Sequence, residues 1–277
     1  MYDIVADDLF NQEYTKEYIL SIQVSLGGFS FSVFSGKESR LVAWKGIPLT
    51  ITSRQFLPRR FQEWTEKEEI FHKEFKEVCF VFDTKEFIPV PDKYYNETEK
   101  TKLTELVFDL ESETEIETNK VGTLNLWLLF TLPKLLKEKI AEQFPGSKII
   151  HPLKNCLGNL PQTDPGKTGL IILFSSKYFY VVLFGKEKLL LANSFSLTHK
   201  NDIIFYTLSV LKQFKTAPSK TEVFLAGDIP GGEETMKEIS KYFSSTQFLK
   251  PSKKIQINNH IFNEPEYGLY NLLNSIS

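Results

Sequence analysis

Three turns in this chain carry residues that could hold a ligand: Ser25-Leu26-Gly27-Gly28, Phe174-Ser175-Ser176-Lys177, and Gly227-Asp228-Ile229-Pro230-Gly231-Gly232. Backbone N–H groups of such turns can converge on an anion, and glycine lets a ligand approach the main chain closely. The candidate cleft positions are therefore Ser25, Gly27, Gly28, Ser175, Ser176, Lys177, Gly227, Asp228, Gly231 and Gly232. Gly231-Gly232 opens a predicted helix, whose N-terminus attracts negative charge. An ordinary strand-to-helix turn uses the same residues, so this last signal has a purely structural reading as well.

Other groupings carry less chemistry. Pro165-Gly166-Lys167-Thr168 resembles the end of a P-loop, but position 161 is proline where the motif needs glycine, and the segment precedes a strand. His72, His151, His199 and His260 share no ligand spacing. Cys79 lies inside an apolar run, and with Cys156 it forms no C-x-x-C pair, so neither zinc nor redox chemistry is expected. Ser35 and Ser175 lie outside any G-x-S-x-G elbow. No catalytic or metal-ligating set follows.

Composition narrows the partners. The formal charge is −2, and only four of the 33 basic residues are arginine (Arg40, Arg54, Arg59, Arg60). Nucleic-acid binding usually needs a basic face with arginine forks, so it is not expected. No apolar run reaches the roughly 20 residues of a membrane span. The acidic start lacks a basic-then-apolar leader pattern, which points to a cytoplasmic protein. An unidentified protein partner fits this composition.

The elements that must position the turns are mostly strands. Leu20, Ile22 and Val24 alternate with Ser21, Gln23 and Ser25, and Gly27-Gly28 turns the chain into a second alternating strand at 29–34. A third strand is predicted over 41–49. A helix follows at about 64–75, then a buried strand at 78–82 and a short extended piece at 87–90. Residues 92–110 have helical spacing, residues 111–117 read as an exposed or edge strand, and 124–130 as an apolar strand. Pro133 starts a helix of about ten residues, and 148–151 is a short strand. Residues 152–168, rich in proline and glycine, read as a linker or long loop. Strands then recur at 170–174, 178–184 and 188–195, followed by a helix at 199–214, a buried strand at 223–226, and a helix at 233–243. Short extended pieces near Phe248, Ile255 and Ile257 precede a terminal helix at 267–273.

The order repeats. Aligning Gly36 with Gly185 without gaps brings Ile22, Val33, Lys37, Glu38, Leu41 and Ala43 onto Ile171, Val182, Lys186, Glu187, Leu190 and Ala192. Glu77-Val78 leads into CFVFD as Glu222-Val223 leads into FLAGD. Two unrelated meanders can share a turn glycine and alternating apolar positions. The sharper reading is a duplicated unit of meander, helix, buried strand and helix.

That order resembles the actin-like ATPase superfamily, with two ribonuclease-H-like halves, and in particular an uncharacterised bacterial family assigned that fold. The resemblance implies an α/β fold with mixed sheets and halves at 1–155 and 156–277. It also implies a hairpin in each half that cradles nucleotide phosphates after an Asp-x-Gly pattern, and a glycine-rich loop, here Gly227–Gly232, near the adenosine. The acid is Ser25 in the first hairpin. In the second, the ungapped alignment puts Phe174 there, and Lys177 stands in the turn. Without acids to position Mg²⁺ and water, phosphoryl transfer loses its main support. The expectation is a non-catalytic binding or scaffold protein without a cofactor. A divergent ATPase or kinase-like member that binds ATP and Mg²⁺ is the alternative.

Overall fold

The computed structural model describes residues 3–186, 188–251, 254–258, 261–262 and 265–276. Glu187 of the repeat and His260 lie outside the described residues. The strands are β1 (Val5–Ala6), β2 (Tyr18–Ser25), β3 (Gly28–Ser35), β4 (Arg40–Pro48), β5 (Glu77–Phe82), β6 (Phe87–Pro91), β7 (Thr114–Val121), β8 (Leu126–Pro133), β9 (Lys148–Ile150), β10 (Thr168–Phe174), β11 (Tyr178–Gly185), β12 (Lys188–Ser196), β13 (Thr221–Gly227) and β14 (Ser245–Phe248). The α-helices are α1 (Leu57–Thr65), α2 (Lys100–Glu105), α3 (Lys134–Gln143), α4 (Pro152–Gly158), α5 (Lys200–Gln213), α6 (Glu233–Ile239) and α7 (Tyr270–Asn274).

Two mixed sheets dominate, ordered β1-β4-β3-β2-β5-β9 and β12-β11-β10-β13-β14. Apart from β1 they are built alike. Each has an antiparallel meander whose first strand pairs in parallel with a buried strand, which pairs in parallel with a short edge strand. Parallel strands demand crossovers, and helices supply them. Leu20, Ile22 and Val24 of β2 share a core with Phe61 and Trp64 of α1 and Leu136 and Ile140 of α3. Trp64 stacks on Phe29 at 5.1 Å and meets Phe71 edge-on at 4.8 Å. Leu170, Ile172 and Phe174 of β10 do the same with Ile203, Val210 and Leu211 of α5 and Ile239 of α6.

One sheet has no counterpart. Between β5 and α3 the chain inserts a three-stranded antiparallel sheet, β6-β8-β7. The acidic stretch predicted as an edge strand is β7, where Glu115 and Glu117 pair with Lys137 of α3. β6 is its other edge, and Pro89 and Pro91 limit further pairing there.

Several predicted boundaries shift. The helix expected at 64–75 starts earlier and ends at Thr65, because Pro58 sits in its first turn and Glu68 turns extended to meet Lys45. That ion pair is 2.6 Å long and nearly buried. The helical spacing over 92–110 yields only α2. The Asn96 side chain accepts from the Thr98 N–H and breaks the run into two 3₁₀ turns ahead of it. The linker expected at 152–168 begins with α4, capped by the His151 ring, which accepts from the Leu153 N–H.

The C-terminal segment returns to the first sheet. Helix α7 packs against β2 and β3 and touches α4. The Ser275 and Ser21 hydroxyls are hydrogen-bonded, and Leu272 and Leu273 share a small core with Leu41 of β4.

Candidate functional site

The carboxyl ends of β2, β5, β10 and β13 meet at one place, which in open α/β sheets is where ligands bind. A cleft of about 800 Å³ opens there, lined by both hairpins and by the loop after β13. Of the predicted positions it gathers Ser25, Gly27, Gly28, Ser175, Ser176, Gly227 and Asp228. Lys177, Gly231 and Gly232 do not line it. Lys177 turns away, and its ammonium donates to the Ile51 carbonyl at 3.0 Å. Gly231 and Gly232 take positive φ to lead into α6, and the Gly232 N–H donates to the Ile229 carbonyl at 3.0 Å.

The register corrects one expectation. Val24 pairs with Phe29 across the first turn, and Phe174 pairs with Phe179 across the second. Ser175 closes its turn by donating its N–H to the Tyr178 carbonyl at 2.9 Å. Ser175, not Phe174, therefore stands where Ser25 stands. Phe174 occupies the place of Val24 and points into the core beneath its own helices. A one-residue slip exchanges the faces of a strand, which is why the ungapped alignment put a core residue at the acid position.

The donors that could cradle an anion are engaged within the chain. The Gly27 N–H donates to Ser25 Oγ at 3.1 Å, and that hydroxyl donates to the Gly28 carbonyl at 3.1 Å. The Gly227 N–H donates to the Tyr267 carbonyl at 2.7 Å, and the Asp228 N–H to the Phe174 carbonyl at 3.2 Å. The two turns also abut. A Cβ on Gly27 would fall 2.1 Å from Ser176 Oγ, so only glycine fits. Among the described residues no lysine, arginine or histidine lines the cleft, and no group of three His, Cys, Asp or Glu could hold a metal.

Asp83 is the residue that sequence reasoning missed. It follows β5 as Asp228 follows β13. Its N–H donates to the Val24 carbonyl at 2.9 Å, matching the bond from Asp228 to Phe174. The CFVFD and FLAGD pair was the signal that could have found it. The two carboxylates differ in surroundings, for Asp228 is exposed and Asp83 is buried. Tyr178 and Tyr180, from the other sheet, place their hydroxyls 2.8 and 2.6 Å from Asp83 Oδ1. Burial pushes the Asp83 carboxyl above the usual carboxylate range, and the Tyr180, Ser175 and Tyr178 hydroxyls partly offset this. The Tyr180 hydroxyl also lies 2.8 Å from the Thr84 carbonyl. With one proton for two acceptors, Tyr180 is fully satisfied when protonated Asp83 donates to it and it donates to Thr84.

His151 completes this junction. Its ring sits against Phe87, Phe130 and Tyr180, and Nε2 lies 3.0 Å from the Thr84 carbonyl. Burial pushes its pKa down to about 4. The neutral ring then donates from Nε2 and accepts the Leu153 N–H at Nδ1.

Paired β-meander units around a cleft, with a hairpin from each, define the class of actin-like folds, and solved structures agree. A Bacteroides thetaiotaomicron VPI-5482 protein with an actin-like ATPase fold and unknown function superposes with a TM-score of 0.77 at 20% identity, over 87% of this chain and 94% of that one. The PilM–PilN type IV pilus biogenesis complex gives a TM-score of 0.60 at 11% identity, over 93% and 96%. The chain has the actin-like ATPase fold. It belongs to the family described as protein of unknown function DUF3822, which it matches over residues 7–246. No curated protein matches it.

Proposed function

We propose that this chain is a non-catalytic binding or scaffold protein, built by duplication on an actin-like fold whose cleft has given up phosphate and metal chemistry. The observation that carries the reading is the self-satisfaction of the hairpins. Ser25 occupies the Gly27 N–H, the loop after β13 spends its first two donors on backbone carbonyls, and serine stands at both acid positions. A nucleotide polyphosphate entering this cleft would meet carboxyl groups and, among the described residues, no cation to offset its charge. The halves are assigned to 1–155 and 156–277, with α4 and α7 touching where they join. The protein acts in the cytoplasm through a protein partner; among structural neighbours, PilM is solved in complex with PilN. No helix among the described residues is long and apolar enough to cross a membrane.

One observation favours the second reading, a divergent nucleotide-dependent enzyme: Asp83 and Asp228 reach the cleft from equivalent positions. Thermal unfolding with ATP or ADP, each with Mg²⁺, decides between the two. The expected result is a Tm unchanged within about 1 °C. A rise of several degrees with either nucleotide would sink the non-catalytic reading.

A further inference from the structure

The outer edge of the first sheet is covered, and the matching edge of the second is bare. β4 and β12 are both the third strand of a meander. β1 pairs antiparallel with β4, Val5 opposite Trp44 and Ala6 opposite Ala43. The Asp7 N–H donates to the Val42 carbonyl at 2.9 Å, and the Leu41 N–H donates to the Gln256 carbonyl at 3.0 Å. Under this cover Leu41, Val42 and Ala43 are buried. β12 instead ends its sheet. Among the described residues no strand and no backbone hydrogen bond from another segment reaches its outer side. No residue from Lys188 to Ser196 is fully buried.

The register fixes which backbone groups point outward. The Ser175 N–H bonds to the Tyr178 carbonyl, so Tyr178, Tyr180 and Val182 turn their N–H and C=O groups to β10. Phe179 and Val181, between them, turn theirs to β12, where Phe195 and Asn193 lie opposite. The groups of Ala192 and Ser194 are left facing away from the sheet. The Ser194 N–H accordingly donates to its neighbour's Oδ1, that of Asn193, at 2.8 Å on the surface. Edges that stay single carry charge, proline or a disrupting bulge. From Leu189 to Ser196 there is neither charge nor proline. The bulge at Leu183/Phe184 recurs in the first sheet at Val33/Phe34, and β1 pairs with β4 just beyond it. Apolar surface flanks the bare edge. Leu190 is 37% exposed, Tyr206 of α5 stacks on Phe195 at 4.6 Å, and Phe205 beside it is 64% exposed.

We propose that β12 is a self-association edge, on which β12 of a second copy of this chain pairs antiparallel across a two-fold axis. A two-fold normal to the sheet keeps each face on its own side, so the residue on the axis meets its own twin. With the axis at Asn193, Ala192 exchanges N–H···O bonds with Ser194 of the second copy, and Leu191 lies opposite Phe195. That register uses the outward groups of Ala192 and Ser194. It pairs an aliphatic with an aromatic side chain on the side of the sheet that α5 covers. It also places no charge within the ladder, because Lys188 lies beyond its end. This last point favours a copy of the same strand as occupant. A charged edge would repel its twin and select an oppositely charged strand instead. β12 does not line the cleft, so the inference holds whether or not a nucleotide binds there.

Sedimentation equilibrium of the full chain tests this. The mass is expected to rise with concentration from that of one chain towards that of two, and amide exchange at Ala192 to slow as it does. Asn193→Lys and Asn193→Glu, at an exposed position, each put like charges opposite one another across the axis. Each is expected to raise the dissociation constant about fivefold. Mixing the two variants pairs opposite charges and is expected to restore association to the native level. A mass that stays at one chain at every concentration would overturn the proposal and leave the edge to a strand from another protein. A dimer that forms equally well in either variant and in their mixture would overturn it too, as would a dimer in which exchange at Ala192 is unchanged.

Discussion

The turn Ser25–Gly28 closes on itself, whereas the turn Ser175–Tyr178 reaches into the other sheet. Both begin with serine at the same register, and both hang between the first two strands of a meander. Ser25 spends its hydroxyl on its own turn, accepting from Gly27 and donating to Gly28. In the second turn Tyr178 donates to Asp83 beside Tyr180, and the Ser175 hydroxyl helps to hold the carboxyl of Asp83 towards its charged form. The difference lies in what each side chain must satisfy. The first turn has glycines whose N–H groups need a partner nearby, and the second lies over a buried carboxylate that needs donors. One backbone hairpin thus serves as a self-capped wall in one half and as a cross-sheet latch in the other.

The strongest way to break this comparison is to remove the two carboxylates in turn. Asp83→Ala would strip the buried Tyr178 hydroxyl of its partner and leave Tyr180 with the Thr84 carbonyl alone, and is expected to destabilise the fold by about 2–4 kcal/mol. Asp228→Ala, at an exposed position, is expected to leave Tm within about 2 °C of the native chain. Urea unfolding of both variants checks this. Equal losses would mean that the two positions share a role as well as a place.

The latch also has a pH signature. Asp83 binds its proton more tightly folded than unfolded, since burial raises its pKa above the ordinary 3.8 of an aspartate. Its contribution is complete below that value and is lost as pH rises through the folded pKa. His151 works in the opposite sense. Its pKa falls from 6.5 to about 4, so its contribution is present above pH 6.5 and is lost as pH falls towards about 4. The His151 contribution amounts to up to about 3 kcal/mol. Unfolding midpoints across this range are expected to lose their acid-side fall in His151→Gln relative to the native chain. Asp83→Asn is expected to flatten the decline with rising pH. A native profile shared by both variants would remove the junction from the account of stability.

How much of this was legible depended on which faces were wet. In β2 the alternation of Leu20, Ile22 and Val24 with Ser21, Gln23 and Ser25 set the register from sequence alone. In β10 every residue from Gly169 to Phe174 is buried, so no alternation marks a face and a one-residue slip leaves no trace. The Gly36–Gly185 alignment also joined unequal turns. Ser35 pairs with Arg40 across the first, and Gly185 pairs with Lys188 across the second. The meanders and buried strands were therefore readable, while the match between them was one residue out. Asp83 escaped because its partners, Tyr178 and Tyr180, come from the other sheet, and no local pattern announces them. The return of α7 was hidden for a related reason. All five of its residues are buried, so it presents no amphipathic stripe that would name the surface it covers.

The smallest expected effect is the sharpest test of the comparison, because it uses the same substitution twice. Ser25→Ala removes the acceptor of the Gly27 N–H in a partly buried turn, and is expected to cost about 0.5–1.5 kcal/mol at any pH. Ser175→Ala removes a donor to Asp83, so the carboxyl there moves further above its usual range. Its cost is expected to be similar below pH 4, where the proton on Asp83 already satisfies the network, and to grow as pH rises. Unfolding free energies of the two variants at pH 4 and pH 8 separate the cases. A Ser175→Ala penalty that stays constant between those values would mean that Ser175, like Ser25, merely caps its own turn.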